Sequence, residues 1–325
     1  QAPLYIRHDA ATIAVGRQKD PVGAQFAGRG LQQESAMPPL DVVHGPDFTV
    51  PPTSAPSVVT IHDLSYLIVS QFAHPHLRRY LTGIVPRTLR RAARVVAVSE
   101  QTRRDVLRYY HLPPEQVVAI PNGVDERFRS PGPEDVARLH DRLALPGPYV
   151  LTVGTIEPRK NHETVLRAFE RVHAAHPELS LVIAGRPGWL SAPILDAIDK
   201  AARRLPVQHL TGVGDDDLPA LYAGSVATVY VSWYEGFGLP VLEAMACGTP
   251  PVASNRGSLP EVVGDAGLQV DPDDPAALAD ALGTLLTDDA LHAELRARGL
   301  ARAKTYTWQR TAAIVLEVYR RFGAV

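Results

Sequence analysis

"YVLTVGTIEPRKNHETVLRAFERV", Tyr149–Val172, decides the fold. Its first five residues are dominated by β-branched and aromatic side chains and predict a short buried strand. A loop composition follows, with Gly154, Pro158 and the adjacent cations Arg159 and Lys160. Val165, Leu166, Phe169 and Val172 then recur at helical spacing. Strand, loop and helix in that order is the repeating unit of a parallel α/β sheet. Towards the C-terminus the alternation continues through "LSLVIAG", "VQHLTGVG", "VATVYVSW" and "TPPVASN". Towards the N-terminus it runs through "DVVHGP", "SVVTIHDLS", "RVVAVSE" and "QVVAIPNG", with helical stretches near 75–93 and 101–110. The fold class read from this is α/β, with two Rossmann-like halves whose ligands bind beyond the carboxyl ends of the strands.

At 325 residues the chain exceeds one ordinary core. The segment 130–148, "SPGPEDVARLHDRLALPGP", has Pro and Gly at both ends and reads as a linker. The expected division is therefore 1–140, 141–305 and a final amphipathic helix over 306–325. The first forty residues fit this scheme poorly. They hold "LYIRH" and "TIAVG", but the polar stretch after them shows no strand, tight glycine loop and helix in sequence. The opening unit of a parallel half-sheet is expected to be missing from the chain.

Composition narrows the function. A formal net charge of −2 gives no overall attraction for nucleic acid. The one cysteine, Cys247, excludes an internal disulfide and a cysteine metal cluster, and reads as a packing residue. Neither a membrane-spanning apolar run nor a signal peptide is found, so a cytoplasmic location is expected.

The chemistry concentrates in a few loops. Arg159 and Lys160, at the carboxyl edge of a strand, suit a diphosphate: Arg supplies a planar fork and Lys a point charge. Standing alone, such a pair is more often two solvated charges. In "YEGFGLPVLEAMACGTPPVASNRGSLPEV", Tyr234–Val262, Pro240 is expected at the first position of a helix. Glu235 then precedes the helix and Glu243 lies in its opening turns. The backbone N–H groups of the Gly236–Phe237–Gly238–Leu239 stretch suit phosphate oxygens, while the two acids suit neutral hydroxyls. A nucleotide sugar fits that division. His62 and Asp63 follow another strand; His62 suits a sugar hydroxyl or a structural bond, and Asp63 a turn cap. Ser99 reads as a helix N-cap first and an acceptor contact second. "TGVGDDDLPALY" lacks the third glycine of a dinucleotide motif, and its aspartates read as a helix start rather than a metal site. Arginines at 78, 79, 87, 90, 91, 94, 103, 104 and 108 form a locally basic region, read as solvated helix faces before anionic lipid.

The ordered set "TIHDLSYL", "VSEQTRRD", "IPNGVD", "VGTIEPRKN", "YEGFGLPVLEAMACGTPPVASN" and "GSLPEVVGDAG" resembles retaining glycosyltransferases of family 4. The E-x7-E element with its G-F-G-L-P interior is the most specific single signal. The resemblance implies a GT-B fold with the last helix crossing back to the N-terminal domain. It implies donor diphosphate contacts for Arg159 and Lys160, and ribose contacts for Glu243. Glu235 and the backbone of Phe237, Gly238 and Leu239 would face the transferred sugar, and His62 would stand at the reaction centre. It further implies no metal or other cofactor, a nucleotide-sugar donor, and a saccharide or lipid-linked acceptor; the basic residues near 78–108 permit, without establishing, contact with a membrane surface. The motif style is closest to bacterial polysaccharide mannosyltransferases, which favours GDP-mannose over UDP-glucose. The rival readings are a nucleotide-sugar epimerase, a pyridoxal-dependent phosphorylase, and a nucleotide-binding remnant without turnover.

Overall fold

The computed structural model describes residues 4–8, 11–15, 41–145 and 147–322. The absence of an opening strand–loop–helix unit over 16–40 is an expectation outside these residues. The chain divides into two compact units, Gln1–Asn122 with Gln309–Val325, and Gly123–Trp308.

The first unit holds a six-stranded sheet of order β1-β2-β3-β4-β5-β6: Leu4–His8, Ala11–Val15, Val42–Gly45, Ser57–Ile61, Arg94–Ala97 and Val117–Ala119. β1 and β2 pair antiparallel, and every later pair is parallel. Alternate residues enter opposite cores, as strands buried on both faces require. Val59, Ile61, Val95 and Ala97 pack with Leu81, Val85 and Leu89 of helix Pro75–Arg91 and Val106 of helix Glu100–Tyr110. Val58, Val96 and Ile120 face Val318 and Tyr319 of the last helix, Trp308–Arg320. The C-terminal helix thus belongs to the core of the first sheet. Buried His44 fixes it there, bonding Tyr319 Oη through Nδ1 and Thr60 Oγ1 through Nε2 at 2.8 Å. Burial, with His62 nearby, lowers the His44 pKa to about 4, so the ring stays neutral.

The second unit carries an all-parallel sheet of order β12-β11-β10-β7-β8-β9. These are Leu268–Val270, Pro251–Ser254, Ala227–Tyr230, Tyr149–Val153, Ser180–Ala184 and Val207–Leu210. The quoted stretch is its centre: β7, a loop, and helix His162–Ala175, whose Val165, Phe169 and Val172 are buried against Val150 and Leu181. The chain lays β8 and β9 on one side of β7, then returns to build β10, β11 and β12 on the other. The sheet therefore has a topological switch between β7 and β10, and the loops leaving these neighbours part at their carboxyl ends.

One expectation is corrected. The segment 130–148 contains helix Pro133–Leu143, which belongs to the second unit. Leu139, with Val136 and Leu143 at helical spacing, packs on Tyr149 and Leu151. Three apolar side chains on one face suffice to dock a short helix, and they fall below the density that marks a core segment by eye. The break between units lies at Asn122 and Gly123 rather than near 140.

Ser99 caps helix Glu100–Tyr110, accepting from the Thr102 amide at 3.0 Å, and is fully buried. Its hydroxyl in turn donates to Thr102 Oγ1 at 3.1 Å, so the cap, the first of its two expected roles, engages it fully. Ser99→Ala is expected to destabilise the protein by about 1–2 kcal/mol and to leave transfer kinetics unchanged. Thermal unfolding and a rate assay on one preparation check both.

Candidate functional site

The switch between β7 and β10 brings together Arg159, Lys160 and Glu235. After β7 the chain forms a single turn, Pro158–Lys160, that ends in Asn161 at a left-handed φ of 58°. Asn161 Nδ2 donates to the carbonyls of Val231, at 3.3 Å, and Pro272, at 2.8 Å, bracing this loop against the segments after β10 and β12. Trp233 N donates to Arg159 O at 3.0 Å, joining the two loops through backbone.

Between the loops lies a buried ion network. Arg159 Nη1 meets Glu235 Oε2 at 2.5 Å and the Tyr234 carbonyl at 2.8 Å, while Nη2 meets Glu157 Oε1 at 2.8 Å. Lys160 Nζ donates to Glu235 Oε1 at 2.7 Å and to the Tyr230 hydroxyl. Burial alone would raise the Glu235 carboxyl, but Arg159 and Lys160 hold it well below the usual carboxylate range. Burial likewise disfavours the Lys160 ammonium, yet Glu235 overrides this and raises its pKa. All three groups are charged. The sequence reading set the cations apart from the acids; the structure bonds both cations directly to Glu235.

Helix Leu239–Cys247 begins beside this network, with Gly238 as its N-cap at φ 104° and no side-chain cap. Pro240 is its second residue rather than its first, a one-residue difference at a helix end. Two glycines admit the geometry. At Gly238 a Cβ would lie 2.5 Å from Leu259 Cδ2. At Gly257, φ 62°, it would lie 2.8 Å and 2.9 Å from the backbone O and N of Glu235. Ser258 Oγ lies 3.0 Å from the Glu235 carbonyl and 2.8 Å from the Phe237 carbonyl and shares its one proton between them, while Ser258 N donates to the Glu235 carbonyl at 3.1 Å, so the loop is held from behind. The Phe237 ring is buried edge-on to Tyr306.

Glu243 sits one turn into this helix in a different field. Burial raises its carboxyl to about 7, a hydrogen bond from Tyr222 Oη at 2.8 Å lowers it in part, and Asp215 and Asp125 raise it further. Buried Cys247 is pushed up to about 12 by burial, as a packing thiol should be.

In the first unit His62 is half-buried after β4. Its Nε2 bonds the Pro46 carbonyl at 2.8 Å, and its ring stands edge-on to Phe48. A carbonyl only accepts, so Nε2 is the donor in this bond, and in the neutral ring Nδ1 is an acceptor. Asp63 Oδ1 accepts from the Ser65 amide at 2.7 Å, holding the turn after the strand. The aspartates at 215–217 start the short helix Leu218–Ala223; Asp215 and Asp216 lie within ion-pair reach of Arg127, and Asp217 pairs with Arg142. Among the described residues no group of three His, Cys, Asp or Glu is placed to hold a metal ion, and no helix is long and apolar enough to cross a membrane.

Sequence reasoning missed Glu157, Tyr230, Tyr222, Asn161 and Ser258. Glu157 carried a local signal, since two buried cations call for more than one acid. Tyr230 and Tyr222 carried none, because Lys160 and Glu243 reach them from other elements.

Comparison with known proteins agrees with this geometry. Residues 138–302 match the family "Glycosyl transferases group 1", and residues 15–128 match "Glycosyltransferase Family 4". The chain is 35% identical over 283 residues to O-antigen chain mannosyltransferase B of Escherichia coli, covering 86% of this chain and 74% of that protein. It is 35% identical over 241 residues to a D-inositol 3-phosphate glycosyltransferase of Acidothermus cellulolyticus, covering 70% of this chain and 53% of that one. The chain thus spans about half the length of the second relative. Among solved structures, sucrose-phosphate synthase from Thermosynechococcus elongatus superposes with a TM-score of 0.75 at 25% identity, over 90% of this chain and 76% of that one. By its family matches, its relatives and its GT-B architecture, the chain belongs to the retaining glycosyltransferases of family 4.

Proposed function

We propose that this chain transfers mannose from GDP-mannose, with retention at the anomeric carbon, to a hydroxyl of a saccharide or lipid-linked acceptor. The observation that carries the reading is the buried Arg159–Lys160–Glu235 network at the switch point, beside an uncapped helix start. Two cations and a row of backbone amides suit the donor diphosphate, and Glu235 and Glu243 suit sugar and ribose hydroxyls. In the reaction the bond from the anomeric carbon to the diphosphate breaks, and a bond to the acceptor oxygen forms on the same face. The acceptor proton passes to the departing phosphate, which leaves as GDP. Arg159 and Lys160 stabilise the charge that develops on the leaving oxygen, so the step asks for no metal. His62 Nδ1 is assigned to a sugar hydroxyl. The mannose preference rests on the likeness to the O-antigen mannosyltransferase.

A lipid-linked acceptor is favoured by the basic helix Pro75–Arg91. It exposes Arg78, Arg79, Arg87, Arg90 and Arg91, and the sequence has no acid between Asp63 and Glu100. Such a face is drawn to an anionic bilayer. A second reading, transfer to a phosphorylated polyol, is favoured by the likeness to the inositol-phosphate enzyme. Incubation of GDP-mannose or UDP-glucose with lipid-linked saccharides and with inositol phosphate, read by nucleotide release, separates the readings. Release of GDP with the lipid-linked acceptors supports the first; release of UDP with inositol phosphate alone overturns it.

Donor binding is expected to depend on pH through Glu243. With its carboxyl at about 7, the group is mostly protonated at pH 6 and mostly ionised at pH 8. The ionised form accepts from both ribose hydroxyls with full charge, whereas protonation turns one oxygen into a donor and weakens the other as an acceptor. Affinity for GDP-mannose is therefore expected to rise by up to ~10-fold from pH 6 to 8, with release of a proton on binding. Calorimetry in buffers of different ionisation enthalpy measures both, and Glu243→Gln should flatten the profile. The sign for stability is opposite. The folded state favours the protonated acid, so this group's contribution is present below the ordinary carboxylate range and lost as pH rises through about 7.

A further inference from the structure

Glu235 is shared between the two cations, and each cation also has a partner of its own. Arg159 Nη2 donates to Glu157 Oε1 at 2.8 Å, from a glutamate that is 2% exposed. Lys160 Nζ donates to the Tyr230 hydroxyl at the buried end of β10. A phenol has one proton, and Tyr230 directs it to Glu235 Oε1 at 3.1 Å, so a lone pair takes the ammonium N–H. Tyr230 Oη therefore touches the cation and the shared acid at once.

The donor-site reading asks these groups to change partners. Glu235 already accepts from Arg159, Lys160 and Tyr230, which occupies three of its roughly four acceptor positions. To take a sugar hydroxyl while the cations turn to phosphate, it must give up part of this network. A cation anchored only by Glu235 would then be free to swing on its long stem and would have to be reordered in every turnover. Resting on the donor-site reading, we propose that Tyr230 and Glu157 are positioning residues for the leaving diphosphate, holding Lys160 and Arg159 in place when Glu235 passes to the sugar.

The chemistry of the two anchors suits this task. Tyr230 is neutral at working pH, its phenol pushed up to about 12 by burial and by Glu235. It orients the ammonium without neutralising the charge that phosphate needs. Glu157 engages one nitrogen of the Arg159 fork, and Glu235 shares the other with the Tyr234 carbonyl, so when Glu235 lets go of Nη1 the carboxylate of Glu157 still holds Nη2. Both anchors act on the transition state more than on donor binding. A loosened cation still attracts a diphosphate in the ground state but is misplaced when charge moves to the leaving oxygen.

Tyr230→Phe, which keeps the ring and removes one hydroxyl, tests this on the full chain with GDP-mannose, alongside Glu157→Gln. The readouts are kcat and donor KM from GDP release, the Kd of GDP-mannose by calorimetry, and the thermal midpoint. In each variant kcat is expected to fall about tenfold or more, with KM and Kd within roughly threefold of the parent values. A lowered midpoint with unchanged kcat would mean a purely structural hydroxyl and overturn the proposal. Parallel loss of kcat/KM and affinity, with kcat intact at saturation, would also overturn it. If the parent binds GDP-mannose and Tyr230→Phe turns over normally, the positioning role fails alone. If the parent binds no nucleotide, the donor-site reading fails and takes this proposal with it.

Discussion

Lys160→Ala is expected to lower kcat/KM for the donor by ~10²–10³-fold, the usual cost of removing one key donor of charge stabilisation. The loss should exceed that from any single hydroxyl contact, because Lys160 is a buried full charge and, in the proposed reaction, stabilises the group that leaves as an anion. Its removal leaves Glu235 with Arg159 and Tyr230, so the acid keeps two donors and the fold should persist. Initial rates over a range of GDP-mannose concentrations, with a melting curve on the same sample, check this. A rate near that of the parent would remove Lys160 from the chemistry.

Glu235→Ala should cost more in stability than in any other property. It deletes the anion that faces both Arg159 and Lys160, at side-chain exposures of 13% and 14%. Breaking a buried pair by removing one partner leaves uncompensated charge and costs about 3–5 kcal/mol. Glu157 still answers Arg159, which places the expected loss at the lower end of that range. For a unit of this size it corresponds to a fall in thermal midpoint of roughly 6–12 °C. Glu235→Gln keeps the shape and one acceptor oxygen but turns an NH2 group toward a donor on the other side, so it should recover only part of the stability while remaining impaired in transfer. Equal melting of the parent and Glu235→Ala would show that the ion network contributes nothing to the fold.

Much of the scaffold was legible because it is written locally. Runs such as "SVVTI" and "YVLTV" became β4 and β7, buried along almost their whole length, and Ser99 capped its helix. Helix Pro133–Leu143 was hidden because its docking face is only three side chains wide. β12, Leu268–Val270, went unread because three residues carry no period. The site was legible as residues and not as a network. Glu235 and Glu243 look alike in "EGFGLPVLE", yet one is held ionised by cations 75 and 76 residues away, and the other is raised by burial and answered by a tyrosine 21 residues away. Those environments come from strand order, which brings β7 and β10 together, and no spacing within the motif encodes it.

The most direct test of the donor site is calorimetric titration of the full chain with GDP, UDP, ADP and their sugars in the presence of a chelator. Saturable binding of GDP-mannose, abolished in Lys160→Ala and retained in Ser99→Ala, is the expected result. Equal binding by the parent and Lys160→Ala, or no nucleotide binding by a folded parent, would contradict the assignment of the β7–β10 switch as the place where the donor is held.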